Sequence, residues 1–396
     1  MQILSLRTRS IHAGESEPLA VPSVAPPLHM ANSYLVDAGQ SFSAEDLDDT
    51  SPLMYSRWAN PTVAQLERRI AALEQTENAI CFASGMSAIT GLFTETLHTG
   101  DHLIMTDVGY AGALEYTHDI LPQMGVQVTH VDTSDIRKIA AAVQPNTRLI
   151  HVETPCNPIL RLTDIRAAAE VAHEAGALLS VDSTFASPLV TQPAELGANV
   201  VMHSLTKYLG GHGDALGGVL AGPRDVISSI RRGVGIHVGG ILSPFNAWLI
   251  LRSMATLALR MPAHSRSALQ VAQFLSDHPH VSQVIYPGLS SHPQYDLANT
   301  QMAMGSGMIA FQVENLEAMA VQLQKRLKLI SYAVSLGDVR SLVFHIATDA
   351  IMESSFRLAG EALDSYRRFA GDGIFRLSVG LESPDDLCAD LDQALA

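Results

Sequence analysis

The chain has 396 residues, 47% of them hydrophobic and 16% charged, with 40 acidic side chains against 25 basic ones and a formal net charge of −15. That length is two to three domain-lengths, enough for a large core, and the sparse charge predicts extensive surface hidden between subunits. The acidic balance argues against nucleic acid or an anionic membrane as partner, since both need a basic patch to exchange for counterions, whereas a few local donors suffice for a small anionic cofactor.

Residues 1–60, including the Pro-rich VPSVAPPLHM, carry little helical periodicity and read as an extended arm. The opening MQILSLRTRSIHAGE has too short an apolar stretch for a signal peptide, and no run reaches the ~18–20 residues of a membrane span. Cys81, Cys156 and Cys388 are odd in number, far apart and without CxxC spacing. Neither a disulfide framework nor a zinc cage is expected, no residue is assigned to a metal, and a reducing cytoplasmic setting fits.

From about Thr62 to Arg252, amphipathic segments such as TVAQLERRIAALEQ alternate with short apolar runs, HLIMT, RLIHVET, ALLSVDST and NVVMHS. This alternation predicts an α/β domain over residues 61–254, a mostly parallel sheet covered by helices. PFNAWLILRSMATLALRM reads as one buried connecting helix. Beyond it, a hairpin-like MIAFQV, an amphipathic LEAMAVQLQKRLKLI and a late strand in IFRLSVGLE predict a smaller α+β domain over residues 255–396. No internal repeat is present.

The chemistry concentrates in a few motifs. In MHSLTKYLGGHGD, Lys207 follows an apolar strand, so its amine is expected to be partly desolvated and available to a carbonyl, with the Ser204 and Thr206 hydroxyls suited to a phosphate. The bland alternative is a solvated lysine before a Gly-rich turn. Asp182 ends another apolar strand in VDSTFASP, where a buried carboxylate needs a cationic partner such as a pyridinium, unless it only caps the next turn. FASGMSAI leads small residues into a helix start, which offers backbone N–H groups to a phosphate or merely packs well. YSRWANPT supplies Tyr55 and Arg57 as phosphate-type donors or incidental surface groups. Tyr110 in GYAGALEY offers a face to a planar ring, and Arg376 in the apolar FRLSVGLE needs a partner that a ligand carboxylate would provide. GGHGDALGG fits neither dinucleotide nor P-loop spacing.

YSRWANPT, FASGMSAI, ETPCNP, VDSTFASP, HSLTKYLGGHGD, YAVSLGD and FRLSVGLE together resemble the Cys/Met-metabolism enzymes dependent on pyridoxal 5′-phosphate (PLP), in the cystathionine γ-synthase and methionine γ-lyase group, over nearly the whole chain. The resemblance implies the aspartate-aminotransferase-like fold, fold type I, as a homotetramer built from two tight dimers. It implies Lys207 as the Schiff-base lysine and Asp182 as the partner of the pyridine nitrogen. Gly85, Met86, Ser204 and Thr206 match the phosphate cradle, completed by Tyr55 and Arg57 of the neighbouring subunit. Tyr110 matches the ring-stacking and proton-exchanging tyrosine, and Arg376, Asn157 and Ser335 match the group that receives the substrate carboxylate.

Within that family, Val334 stands where synthases tend to carry Glu, which favours a lyase: removal of a Cγ substituent from an L-amino acid to give a 2-oxo acid and ammonia. A γ-replacement synthase is the alternative, and a non-catalytic PLP-binding protein a distant one. The chain departs from the methionine γ-lyase pattern at Gly112, in GVGIHVGG and in HIATDAIM. Asp349 and Glu353 add carboxylates near the last of these, so a polar or cationic γ-substituent such as an oxyguanidine competes with methionine, unless both are solvated surface charges.

Overall fold

The computed structural model of the protein describes residues 4–15, 23–41, 43–44 and 53–396. Seven strands, β1 (Asn78–Phe82), β2 (His102–Thr106), β3 (Gln127–Val131), β4 (Thr147–Glu153), β5 (Leu178–Asp182), β6 (Val200–Ser204) and β7 (Gly218–Gly222), form one sheet in the order β1-β7-β6-β5-β4-β2-β3. The five from β6 to β3 run parallel, and β7 is antiparallel to both its neighbours. Parallel strands need helical crossovers that cover both faces, which is why the inner strands are buried along nearly their whole length, whereas the edge strand β3 is only partly buried. All five residues of β2 are buried, as are six of the seven in β4.

Three adjacent strands end on a polar residue. Glu153 closes β4, Asp182 closes β5 and Ser204 closes β6, and the pairing sets Glu153 directly opposite Asp182. These three positions line the carboxyl edge of the sheet, where open α/β sheets bind their ligands.

The expected extended arm is only partly extended. Leu6–His12 is a helix, α1, capped by the Ser5 hydroxyl and tied by Arg9 Nη1 to the Ala72 carbonyl at 2.5 Å. Seven residues are too few for periodicity to reveal, and the helix owes its stability to that docking. Further on, the arm is fastened by His29 N–H to Thr62 Oγ1 at 3.0 Å and by Trp248 Nε1 to the Pro26 carbonyl at 3.0 Å. The remainder of the arm, at 1–3, 16–22, 42 and 45–52, lies outside the described residues.

Three further helices frame the sheet's edge. In α2 (Pro61–Glu74) the Asn60 side chain accepts from Thr62 N–H at 2.9 Å and Pro61 opens the first turn. Ser84 caps α3 (Gly85–Thr96) by accepting from Ser87 N–H at 3.0 Å. Tyr110 stands at the cap of α4 (Ala111–Asp119).

The expected single connecting helix is two, Pro244–Met254 and Leu257–Ser276. The break falls where the Ser253 carbonyl accepts from Thr256 N–H at 3.1 Å and from Arg260 Nη2 at 3.1 Å, so it is taken from the first helix. A second sheet follows, with β8 (Val281–Ile285), β9 (Met308–Val313), β10 (Ser331–Tyr332), β11 (Leu342–Ala347) and β12 (Gly373–Ser378) in the order β10-β11-β12-β9-β8. MIAFQV is β9, yet it is no tight hairpin: it pairs with β12 and with β8, from which the helix Tyr295–Gln301 separates it. The edge pair β10–β11 is parallel and the rest antiparallel.

Candidate active site

The turn after β6 is fixed before Lys207 is reached. Thr184 Oγ1 accepts from Ser204 N–H at 2.9 Å, and Thr206 Oγ1 donates to the Gly217 carbonyl at 3.3 Å while accepting its N–H at 3.2 Å. Lys207 then projects from the turn to donate from Nζ to Ser335 Oγ at 3.0 Å. Burial, helped by the neighbouring Arg376 charge, lowers its ammonium from 10.5 to about 8. An amine so placed loses its proton within reach of neutral pH.

Gly85 and Met86 open α3 beside this turn. A Cβ on Gly85 would sit 3.2 Å from the Ser204 side chain, and one on Gly218 would lie 2.2 Å from the Ser84 carbonyl, so the three backbone segments close on one another only because both residues are glycine. The first-turn N–H groups of α3 and the Ser204 hydroxyl therefore face a common space, the kind of cradle an anion takes.

Asp182 is buried, with Oδ1 accepting from Thr184 N–H at 2.9 Å, and burial raises its carboxyl above the ordinary range. Beside it, Glu153 was not among the residues singled out from sequence. Its Oε2 accepts Tyr110 N–H and its Oε1 accepts Asn157 N–H, each at 2.7 Å. Burial and the adjacent Asp182 push Glu153 well up. A glutamate closing the largely buried strand TRLIHVE, four residues before the Asn of ETPCNP, was the available signal.

The second sheet contributes the cation. Arg376 on β12 pairs in register with Phe344 and Ala310, and its guanidinium reaches out to Asn157 Oδ1 at 2.7 Å and the Ser335 carbonyl at 3.3 Å. Burial lowers it to about 10, with Glu153 opposing. Ser335 holds φ +86, a left-handed conformation uncommon outside glycine, and Gly337 two residues on holds φ +74 with its N–H on Ser378 Oγ at 2.8 Å. That turn aims the Ser335 hydroxyl at Lys207 and its carbonyl at Arg376. The structure thus draws Lys207, Ser335, Arg376 and Asn157 into one bonded chain. Tyr110, with its side chain 48% exposed, is tied to that chain through Glu153.

Other sequence candidates lie elsewhere. Arg57 donates to the Ile236 carbonyl and stacks 5.4 Å from the Tyr55 ring, and Tyr55 bridges to Ser33; among the described residues no hydrogen bond joins either to Lys207. Asp349 is an exposed partner of Arg367 at 2.8 Å and Glu353 is exposed, so both take the solvated reading. Val334 is 64% exposed. Gly112 lies against the reacting groups: a Cβ there would meet the Tyr110 ring at 3.0 Å and Met86 Sδ at 3.2 Å. Among the described residues there is no cluster of three or more His, Cys, Asp or Glu able to hold a metal, and no helix long and apolar enough to cross a membrane.

A mostly parallel sheet with a desolvated lysine and a buried aspartate at its carboxyl edge, and a glycine-lined anion cradle between them, fits pyridoxal phosphate and defines the fold type I class of PLP-dependent enzymes. The chain belongs to the Cys/Met metabolism PLP-dependent enzyme family, whose model matches residues 7–396. It is 39% identical to a canavanine gamma-lyase of Pseudomonas canavaninivorans over 99% of this chain and 96% of that one. It is equally 39% identical to an L-methionine gamma-lyase of Porphyromonas gingivalis, over 98% and 96% respectively. The crystal structure of metB from Corynebacterium glutamicum superimposes with a TM-score of 0.88 at 36% identity, covering 100% of this chain and 99% of that one.

Proposed function

We propose that this PLP-dependent enzyme is a γ-lyase, removing a Cγ substituent from an L-amino acid and releasing a 2-oxo acid and ammonia. The observation that carries the reading is Ser335, which spans from the Lys207 amine at 3.0 Å to the Arg376 guanidinium at 3.3 Å. A substrate carboxylate held by Arg376 and Asn157 would bring the adjacent Cα to the Lys207 amine. Gly85, Met86, Ser204 and Thr206 would hold the cofactor's phosphate, Asp182 its ring nitrogen and Tyr110 its ring face. When bound, the cofactor supplies an electron-poor ring that spreads the negative charge left at Cα.

The protein's part is proton traffic and orientation. The Lys207 amine, once free of the cofactor, would take the Cα proton, give it up again, and then take one from Cβ, whose electron pair forms the Cβ–Cγ double bond as the bond to the Cγ substituent breaks. Tyr110 exchanges a proton with the departing group. Val334 beside Ser335 has no proton to give or take, in keeping with elimination rather than delivery of a second nucleophile. Arg57, which donates to the Ile236 carbonyl, and Tyr55, whose backbone bridges to Ser33, would serve the neighbour's phosphate in a dimer or a dimer of dimers. Mixing inactive Arg57→Ala and Lys207→Ala chains should then restore part of the activity; additive inactivity after subunit exchange would remove the shared-site reading.

For the substrate, Gly112 lets the Tyr110 ring and Met86 close in to where a Cβ would stand, so this wall departs from the methionine γ-lyase pattern, and a canavanine gamma-lyase is among the relatives. The second of these supports a polar γ-substituent. A panel of methionine, homocysteine, cystathionine, O-acetylhomoserine and canavanine, with 2-oxo acid, ammonia and amino-acid product measured separately, tests this. A polar substrate should exceed methionine by more than the ~10–200-fold that a methylene is worth. Methionine as best substrate would refute the polar pocket, and a requirement for added thiol would make the enzyme a γ-replacement synthase.

A further inference from the structure

Glu153 is an expensive residue to keep. It is buried at the end of β4, opposite the equally buried Asp182, and two neighbouring carboxylates out of water repel one another at a cost that an apolar pair avoids. Yet each of its oxygens accepts one backbone N–H at 2.7 Å, from Tyr110 on one side and Asn157 on the other. Those donors belong to two separate segments of the site. Asn157 goes on to hold Arg376 at 2.7 Å, and Tyr110 begins α4. Each donor sits on a different oxygen, an arrangement a carboxylate offers and a carboxamide, whose second terminal atom is an NH2 donor, does not. Gly109 leaves the room required, since a Cβ there would stand 2.9 Å from Glu153 Oε2.

We propose that Glu153 is a positioning residue whose two oxygens set Tyr110 for the cofactor ring and Asn157–Arg376 for the substrate carboxylate, so that one side chain couples cofactor stacking to substrate binding. The inference rests on the roles given above to Tyr110 and Arg376. In Glu153→Gln the side chain turns an NH2 toward one of the two donors and loses that bond. Gly109→Ala, at a residue without positive φ, keeps the carboxylate but presses Oε2 away from Tyr110.

Four readouts are compared: in the holoenzyme, affinity for L-alanine, which has no γ-substituent to lose, by spectral titration, induced circular dichroism of the cofactor, and kcat/KM; and, in both the holoenzyme and the cofactor-free protein, amide exchange at Tyr110 and Asn157. Both variants should bind L-alanine about 10-fold more weakly, exchange at least one of the two amides about 10-fold faster, weaken the induced dichroism and lose 10-fold or more in kcat/KM. Asp390→Asn, which loosens a carboxylate holding the Lys328–Ile330 backbone elsewhere, should lower Tm and leave those readouts unchanged. Unchanged L-alanine affinity, dichroism and exchange in either folded variant overturns the proposal, as does an equal response in Asp390→Asn. If Glu153→Gln does not fold, Gly109→Ala decides, and failure of both to fold makes Glu153 a folding residue and overturns it too. Should Arg376→Met leave L-alanine affinity intact, the assignment of Arg376 fails instead, while amide exchange still reports what Glu153 holds.

Discussion

Replacing Lys207 with Ala should reduce turnover by at least ~10⁴-fold, the upper range for one acid–base group, because on the proposed reading the same amine carries the cofactor and moves the Cα and Cβ protons. The visible absorbance of the bound cofactor should go with it. Stability should not, and its pH dependence gives an independent check. Burial holds the Lys207 ammonium at about 8 in the folded cofactor-free protein against 10.5 when exposed. Between those values the unfolded chain binds the extra proton, so stability rises with pH across that window, by about 3 kcal/mol at most. Denaturant titrations of the cofactor-free protein should show this rise from pH 8 to 10.5 and Lys207→Ala should lack it. An identical pH profile in both proteins would mean that the lysine is solvated, and retained turnover would remove it from the chemistry.

Arg376→Met should lower kcat/KM by between ~30-fold and several thousand-fold, the range for truncating one member of a buried charge pair. Three effects combine. The substrate carboxylate loses its proposed receptor, Asn157 Oδ1 and the Ser335 carbonyl lose their donor, and Lys207 loses the neighbouring charge that helps to lower its ammonium. The Lys207 amine should therefore titrate at higher pH in the variant, read from the pH dependence of its reaction with an aldehyde in the cofactor-free protein. Arg376→Lys should rescue little, since an ammonium cannot reproduce a planar fork that spans Asn157 and Ser335. A KM and a Lys207 titration both unchanged in Arg376→Met would exclude the guanidinium from the site.

Much of this site was legible in the sequence because parallel strands advertise their ends. An apolar run closing on a polar residue pointed to Asp182, Ser204 and Lys207, since a polar group at such a place needs a partner. Arg376 stood out for the same reason. Glu153 obeys that logic and went unremarked, because its partners are backbone N–H groups of Tyr110 and Asn157, and hydrogen bonds to backbone leave no trace in the identity of the partner residue. Ser335 matched by position, yet its value lies in a left-handed φ that side-chain chemistry does not announce.

Short elements escaped for a different reason. Leu6–His12 is held by contacts such as Arg9 to Ala72, distant in sequence, so its own residues carry little signal. The break after Met254 depends on Arg260 folding back on Ser253, a tertiary contact laid over a continuous apolar pattern. Asp349 and Glu353 show the converse. They lie in or beside a segment that departs from the methionine γ-lyase pattern, but one is paired with Arg367 and both face solvent, so nearness in sequence to that segment did not bring them into the bonded chain around Lys207.

The measurement that bears most directly on the whole account is borohydride reduction of the holoenzyme followed by peptide mapping. The account predicts one phosphopyridoxyl group per chain, attached to Lys207 and absent from Lys207→Ala. A label on another lysine, or none, would contradict it.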